Sequence, residues 1–197
     1  NDGSLTIEKR NVTLTSASDS KVYDGTALTN GTVTVSGDGF VEGEGASYDV
    51  TGTITDVGTT KNTFDYTLNG NTKADNYTIT KTEGDLEIKS KTDKVTVTIT
   101  GHTDTVKYDG QSHSVKGYDV AISNTLYTVN DFTFSGTDEV TGTDAKTSYM
   151  MGLEKGNFKN ISDNFTNVEF IVNDGSLTIE KRNVTLTSAS DSKVYDG

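Results

Sequence analysis

The stretch NDGSLTIEKRNVTLTSASDSKVYDG occupies Asn1–Gly25 and returns without a single change at Asn173–Gly197. A chain that restarts on itself in this way is read as a piece of a tandem array: one full period, from Asn1 to Val172, plus the opening of the next copy. That constrains the fold before any composition is consulted, because each repeat must bury its own apolar faces or those of a neighbour.

A second, weaker repeat lies inside the first. Lys21-Val22-Tyr23-Asp24-Gly25 is matched by Val106-Lys107-Tyr108-Asp109-Gly110. At the displacement that carries Tyr23 onto Tyr108, Val12 and Leu14 fall on Val97 and Ile99, and Phe64, Tyr66 and Leu68 fall on Tyr149, Met151 and Leu153. The module ends match at a displacement six positions longer, with NYTITKTEGDLEI (76–88) set against NVEFIVNDGSLTI (167–179). The difference predicts a six-residue insertion in the Asn-rich stretch NFKNISDNFTN (157–167), read as a loop. The chain therefore divides into a trailing strand of a preceding repeat (1–10), module A (11–90), module B (91–182) and the start of the next repeat (183–197).

Alternation in VTLTS (12–16), VTVTIT (95–100) and SLTIE (176–180) places apolar residues at every second position. This is the period of half-buried strands. The hydrophobic fraction is 31%, below the roughly 45–50% usual for globular chains, which suits small modules with thin cores. No stretch keeps a helical period for three turns. Short helical turns are expected at most in GFVEGEGASYDV (39–50) and LYTVNDFTF (126–134). The fold class is mainly β: two tandem small β modules, β-grasp-like or alternatively Ig-like sandwiches, set end to end as an elongated rod. The joins GDLEIKSKTDKVTVTIT (84–100) and GSLTIEKRNVTLTS (175–188) hold no Gly/Ser run and no Pro. Stacking through such short joins requires first and last strands to run in the same direction.

A net charge of −12 argues against nucleic acid, whose phosphates would be repelled, and against anionic membrane surfaces. No apolar run approaches the ~18 residues that span a bilayer. No signal peptide is visible, and a stretch from mid-array would carry none. The chain has no Cys, which a chain of this length can lack by chance and which also fits an exported protein that does not rely on disulfides.

The order K-x-Y-D-G, then G-F-x-x-G-(D/E), then N-Y-x-I…G-x-L-x-I resembles the MBG/YDG repeats of bacterial surface proteins and adhesins. In module A it is carried by Tyr23-Asp24-Gly25, Gly39-Phe40-Val41-Glu42-Gly43-Glu44, Asn76-Tyr77-Thr78-Ile79 and Gly84-Asp85-Leu86-Glu87-Ile88. Module B keeps Tyr108-Asp109-Gly110 and Gly175-Ser176-Leu177-Thr178-Ile179, with Tyr127-Thr128-Val129-Asn130-Asp131 in the middle and Val168 at the Tyr77 position. The resemblance implies long tandem arrays at the bacterial cell surface, anchored to the wall or secreted; it does not imply a known catalytic activity.

Individual residues point to little chemistry. His102 and His113 have no counterparts in module A, so no repeated metal or nucleophile–base arrangement follows. The acids Asp38, Glu42 and Glu44, and Asp19, Asp104 and Asp191, lack the regular spacing of a calcium loop. Lys21, Lys94 and Lys107 lie near strands where a Lys–Asn or Lys–Asp isopeptide bond would be conceivable, without a triad to fix one. The Asn-x-Thr/Ser sites at Asn11, Asn30, Asn76, Asn160, Asn164 and Asn183 follow from Asn turns beside Thr strands. Tyr23, Tyr108 and Tyr195 are read as rings laid on a core with wet hydroxyls. No catalytic, cofactor or metal site is expected and no enzyme. The expected partners are neighbouring repeats of the same chain, with a host glycan, mucin or matrix protein as the alternative.

Overall fold

The computed structural model describes residues 2–197 and divides the chain into two compact units. The first runs through Lys94 and adds 162–167, and the second comprises 95–161 and 168–197. Both are built from strands, and among the described residues there is no α-helix.

The first unit holds β1 (Arg10–Ser16), β2 (Asp19–Val22), β3 (Val33–Gly37), β4 (Ala46–Val50), β5 (Gly58–Lys61), β6 (Phe64–Leu68), β7 (Tyr77–Thr82) and β8 (Asp85–Lys89). They form sheets β3-β1-β7 and β2-β8-β5 and the antiparallel pair β4-β6. β1 runs parallel to β7 and β2 parallel to β8, so the first and last strands share a direction, as short joins require. Alternation does the sorting: Val12 and Leu14 of β1 point inward with Phe64 and Tyr77, and Leu86 and Ile88 of β8 make a second cluster with Leu28.

The two sheets meet where β1 passes into β2 and β7 into β8. There the Ser16 hydroxyl donates to the Asn62 carbonyl (2.6 Å) and accepts from Gly84 N–H (3.0 Å). The fully buried Asn62 amide donates to the carbonyls of Ala17 and Asn30, each at 2.9 Å. These bonds satisfy backbone groups that the change of sheet would otherwise leave unpaired.

The second unit repeats this plan with β9 (Val95–Gly101), β10 (Thr103–Lys107), β11 (His113–Lys116), β12 (Tyr118–Ile122), β13 (Phe132–Phe134), β14 (Glu139–Gly142), β15 (Lys146–Met150), β16 (Phe158–Asn160), β17 (Val168–Asn173) and β18 (Ser176–Glu180). Its sheets are β12-β9-β17 and β10-β18-β15, with the antiparallel pairs β11-β14 and β13-β16. β9 is parallel to β17 and β10 to β18. The β11-β14 pair replaces what is a single bridge, Leu28 to Ile54, in the first unit. The core is more aromatic: Phe132, Phe158 and Phe170 are mutually in contact, with centroids 5.4–6.1 Å apart, an arrangement worth about 0.5–1.5 kcal/mol per pair beyond burial.

Three expectations change. Phe64 stands opposite Val50 at the end of the β4-β6 ladder, and its counterpart is Phe158, opposite Phe134 at the end of β13-β16. Tyr149 instead lies on β15 beside Leu177, where the first unit has Thr60 beside Leu86. The extra residues of the second module therefore enter before β16. The stretch after it is shorter than its counterpart, with ten positions from Phe158 to Val168 against thirteen from Phe64 to Tyr77. Second, residues 2–9 form no strand, and Leu5 and Ile7 are 89% and 87% exposed. A strand needs a partner, and none of the described residues pairs with them. Third, short helical turns are not confined to the two stretches that could hold them: 126–134 has one 3-10 turn at Val129–Asp131, while two more stand at Ala74–Asn76 and Lys155–Asn157, just before β7 and β16, and residues 39–45 are irregular.

Candidate functional site

The repeated Tyr-Asp-Gly turn is the feature both units build alike. Gly25 and Gly110 take φ of 78° and 80°, a region glycine enters without steric cost. In the first unit Asp24 accepts from Lys21 Nζ (2.8 Å), Thr26 Oγ1 (2.7 Å) and Thr26 N–H (2.9 Å). The Lys21 hydrogen bond, then those from Thr26, hold the carboxyl far below the usual carboxylate range. In the second unit Asp109 accepts from Gln111 N–H and from His113 Nε2, both at 2.9 Å. The Gln111 N–H, then His113, lower its pKa in the same sense. A lysine three positions before the Asp and a histidine four positions after it thus do one job. The third copy keeps a Lys193–Asp196 pair at 2.7 Å and a positive φ at Gly197 although it lies outside any strand. The turn is local chemistry and does not wait for the sheet.

The tyrosines differ more. Tyr23 N–H donates to the Lys89 carbonyl and Tyr108 N–H to the Glu180 carbonyl, at 2.8 and 2.9 Å. Tyr23 is half-buried, packed against Leu28, Leu86 and Ile88. Its ring also meets the edge of Phe165, with centroids 5.6 Å apart. Phe165 belongs to the segment 162–167, which docks as a short extended piece. Lys91 N–H donates to the Asn164 carbonyl (2.8 Å), Thr166 N–H donates to the Lys91 carbonyl (3.2 Å), and Lys91 and Phe165 form a parallel bridge. The Asn164 side chain accepts from Val57 N–H (2.8 Å) and donates to Asp56 (3.1 Å). Tyr108 by contrast is 39% exposed.

A second shared arrangement changes owner between units. In the first, Tyr77 of β7 donates its hydroxyl to Glu44, accepts from Val41 N–H and packs its ring on Phe40. In the second, Val168 stands at the Tyr77 position, and the hydroxyl comes from the loop, where Tyr127 donates to Asn160 Oδ1 at 2.9 Å. Burial, followed by the nearby Asp131 charge, pushes the Tyr127 hydroxyl pKa up to about 12.

The other candidates are mostly tied into the chain's own hydrogen bonds. His102 lies against the Lys116 carbonyl and Asp119. Asp38 accepts from Asn11 N–H, Glu44 from Tyr77, and Asp19 from its neighbour Ser20 N–H and from Asn30. Lys21 is held by Asp24, Thr26 and the Ala27 carbonyl rather than by an Asn side chain. Among the described residues no three His, Cys, Asp or Glu side chains converge as metal ligands would. Sequence reasoning passed over Asn62, whose only signal is an Asn before an alternating run, and Phe165, whose Asn-rich surroundings read as plain loop. Comparison of the chain with protein-family models, with curated proteins and with solved structures returns no match.

Proposed function

We propose that the chain is a stretch of structural stalk repeats of a bacterial surface adhesin or fibrillar protein, of the MBG/YDG type. Its small modules follow one another as a stiff extracellular rod that carries a distal binding domain away from the cell. The observation that supports this most is the exact return of Asn1–Gly25 at Asn173–Gly197, a stretch whose first part ends one module and whose second part begins the next. The parallel pairing of first and last strands in both units suits head-to-tail succession. Chemistry in this chain is spent on turns and strand crossings, as a spacer requires.

The test is a series of chains carrying one, two and three periods. For a rod, the maximum dimension from small-angle scattering grows linearly with copy number, and the same chains stay silent on glycan and host-matrix arrays. Binding that rises steeply with copy number would replace the spacer reading by a multivalent binding one.

A further inference from the structure

A covalent change within a chain needs no pocket, only a reactive pair left unrestrained. Asn followed by Gly is such a pair. The next main-chain nitrogen can close a five-membered ring on the side-chain carbonyl carbon, and Gly has no Cβ to obstruct the approach or restrict the backbone. The chain holds two such pairs, Asn30-Gly31 and Asn69-Gly70, both in the first unit. The fold treats them differently. Half-buried Asn30 is held at both ends of its carboxamide: Oδ1 accepts from Thr32 N–H and Nδ2 donates to Asp19, each at 3.1 Å. Its main-chain carbonyl accepts from the buried Asn62 amide at 2.9 Å. The Asp-Gly pairs of the strand-built parts are restrained in the same way, the carboxylates of Asp24, Asp38, Asp109 and Asp174 accepting from the N–H groups of Thr26, Asn11, Gln111 and Gly152. Asn69 is exposed and opens the turn 69–72, in which its carbonyl accepts from Thr72 N–H at 2.9 Å. Among the described residues nothing bonds to its carboxamide, which lies beside Gly45, and the Gly70 N–H donates to no acceptor. The space at Gly70 is open, with no atom within 4 Å of an added Cβ.

We propose that Asn69-Gly70 is a self-modification site, at which the folded chain converts Asn69 to aspartate and isoaspartate without an enzyme while Asn30 is protected. The Gly70 nitrogen attacks Asn69 Cγ and forms the N–Cγ bond as its proton passes through water to Nδ2. The Cγ–Nδ2 bond then breaks and ammonia leaves, with nothing oxidised or reduced. Water next opens the cyclic imide. Breaking the new N–Cγ bond gives aspartate; breaking the original peptide C–N bond gives isoaspartate, whose backbone runs through Cβ and Cγ. Both products carry a carboxylate where a neutral amide stood, and the second lengthens the main chain by a methylene. The turn 69–72 ties down the stretch before β4, so that length is felt. Gly45 N–H donates to Thr72 Oγ1 (2.8 Å), Thr72 Oγ1 donates to the Gly45 carbonyl (3.0 Å), and Asn71 Nδ2 donates to the Gly43 carbonyl. A methylene inserted before Gly70 shifts Asn71 and Thr72 off those partners.

The test holds the full chain in mildly alkaline buffer, folded and in denaturant, and follows both sites by peptide mass mapping with fragmentation that distinguishes isoaspartate from aspartate. In the folded chain the peptide containing Asn69 should gain about 1 Da. Its rate should be at least about tenfold that at Asn30, which must first give up two side-chain hydrogen bonds. In denaturant the two rates should converge, because only the fold separates the sites. Gly70→Ala, for which there is room, should nearly stop the reaction at Asn69, and Asp19→Ala, which releases Asn30 Nδ2, should speed the reaction at Asn30. Amide exchange at Gly45 and Thr72 should accelerate in the isoaspartate fraction and not in an Asn69→Asp chain. The proposal is overturned if Asn30 reacts as fast as Asn69 in the folded chain, or if Asn69 stays intact while the denatured chain is converted. It is also overturned if the Gly70→Ala chain reacts as fast as its parent.

Discussion

Two glycines mark places where the chain of each unit passes close to itself. A Cβ built on Gly84 would lie 2.6 Å from the carbonyl oxygens of Ser16 and Ala17, and one on Gly175 would lie 2.6 Å from that of His102. These are backbone obstacles that no rotamer change relieves, so overpacking is expected at the upper end of its usual range, about 3 kcal/mol. Gly84→Ala should lower the denaturant midpoint of the first unit and Gly175→Ala that of the second, followed by hydrogen exchange at Leu86 and Leu177. Gly70→Ala, with nothing within 4 Å, is the control and should be neutral. His102 adds a pH dependence to the second unit. The Lys116 carbonyl, then Asp119, raise its pKa above the ordinary 6.5. A raised pKa means that the charged form is favoured by folding, so its contribution is complete below the unfolded value and disappears as pH rises through the folded one. The second unit's melting temperature should therefore decline as pH rises through and above the ordinary histidine value of about 6.5, and His102→Gln should flatten that decline.

At the scale of strands the repeated stretch performs an experiment within one molecule. Leu177 and Ile179 are buried in β18, whereas the identical Leu5 and Ile7 are exposed and unpaired. Val12 and Leu14 are buried in β1, whereas Val184 and Leu186 are 75% and 91% exposed. Identical sequence takes a strand only where β3 and β7, or β10 and β15, stand beside it, which is strand propensity acting through context. If the sequence of positions 26–94 is appended after Gly197, the segment 182–188 should become a strand. The amides of Val184 and Leu186 should then pass from unprotected to protected in hydrogen exchange, and continued rapid exchange would contradict the expectation. The same contrast explains what could be read in advance. Period-2 runs announced β1, β9 and β18, and the Asp-Gly pairs announced turns that form even in the unpaired third copy, because those signals are local. The counterpart of Phe64 was misplaced at Tyr149 because a constant displacement cannot register insertions inside a module. The roles of Asn62 and Phe165 were invisible because their partners lie far away in sequence, Ala17 and Asn30 for one and Tyr23 and Lys91 for the other.

For the molecule as a whole, the composition of the first unit sets how the chain unfolds. That unit is complete only with residues 162–167, which the chain reaches after laying down most of the second. Phe165 is 1% exposed, and the residues it touches include Tyr23 on the Leu28–Leu86–Ile88 cluster. Module A is therefore not self-sufficient at this position, and the pair is the smallest stretch that contains every part of the first unit. This gives a physical reason for a period of two modules: duplicating module A without the segment that completes it would leave Tyr23 and Lys91 without those partners. Removing the ring should cost about 3 kcal/mol or more, as for other buried Phe→Ala changes. In the Phe165→Ala chain, exchange at Leu86, Ile88 and Lys91 should accelerate at least a hundredfold, since each factor of ten corresponds to about 1.4 kcal/mol. Exchange at Val97, Ile99 and Leu177 in the second unit should change far less. Equal acceleration in both units would mean that the chain unfolds as one cooperative body, and acceleration limited to residues 161–168 would mean that the segment is only an attachment.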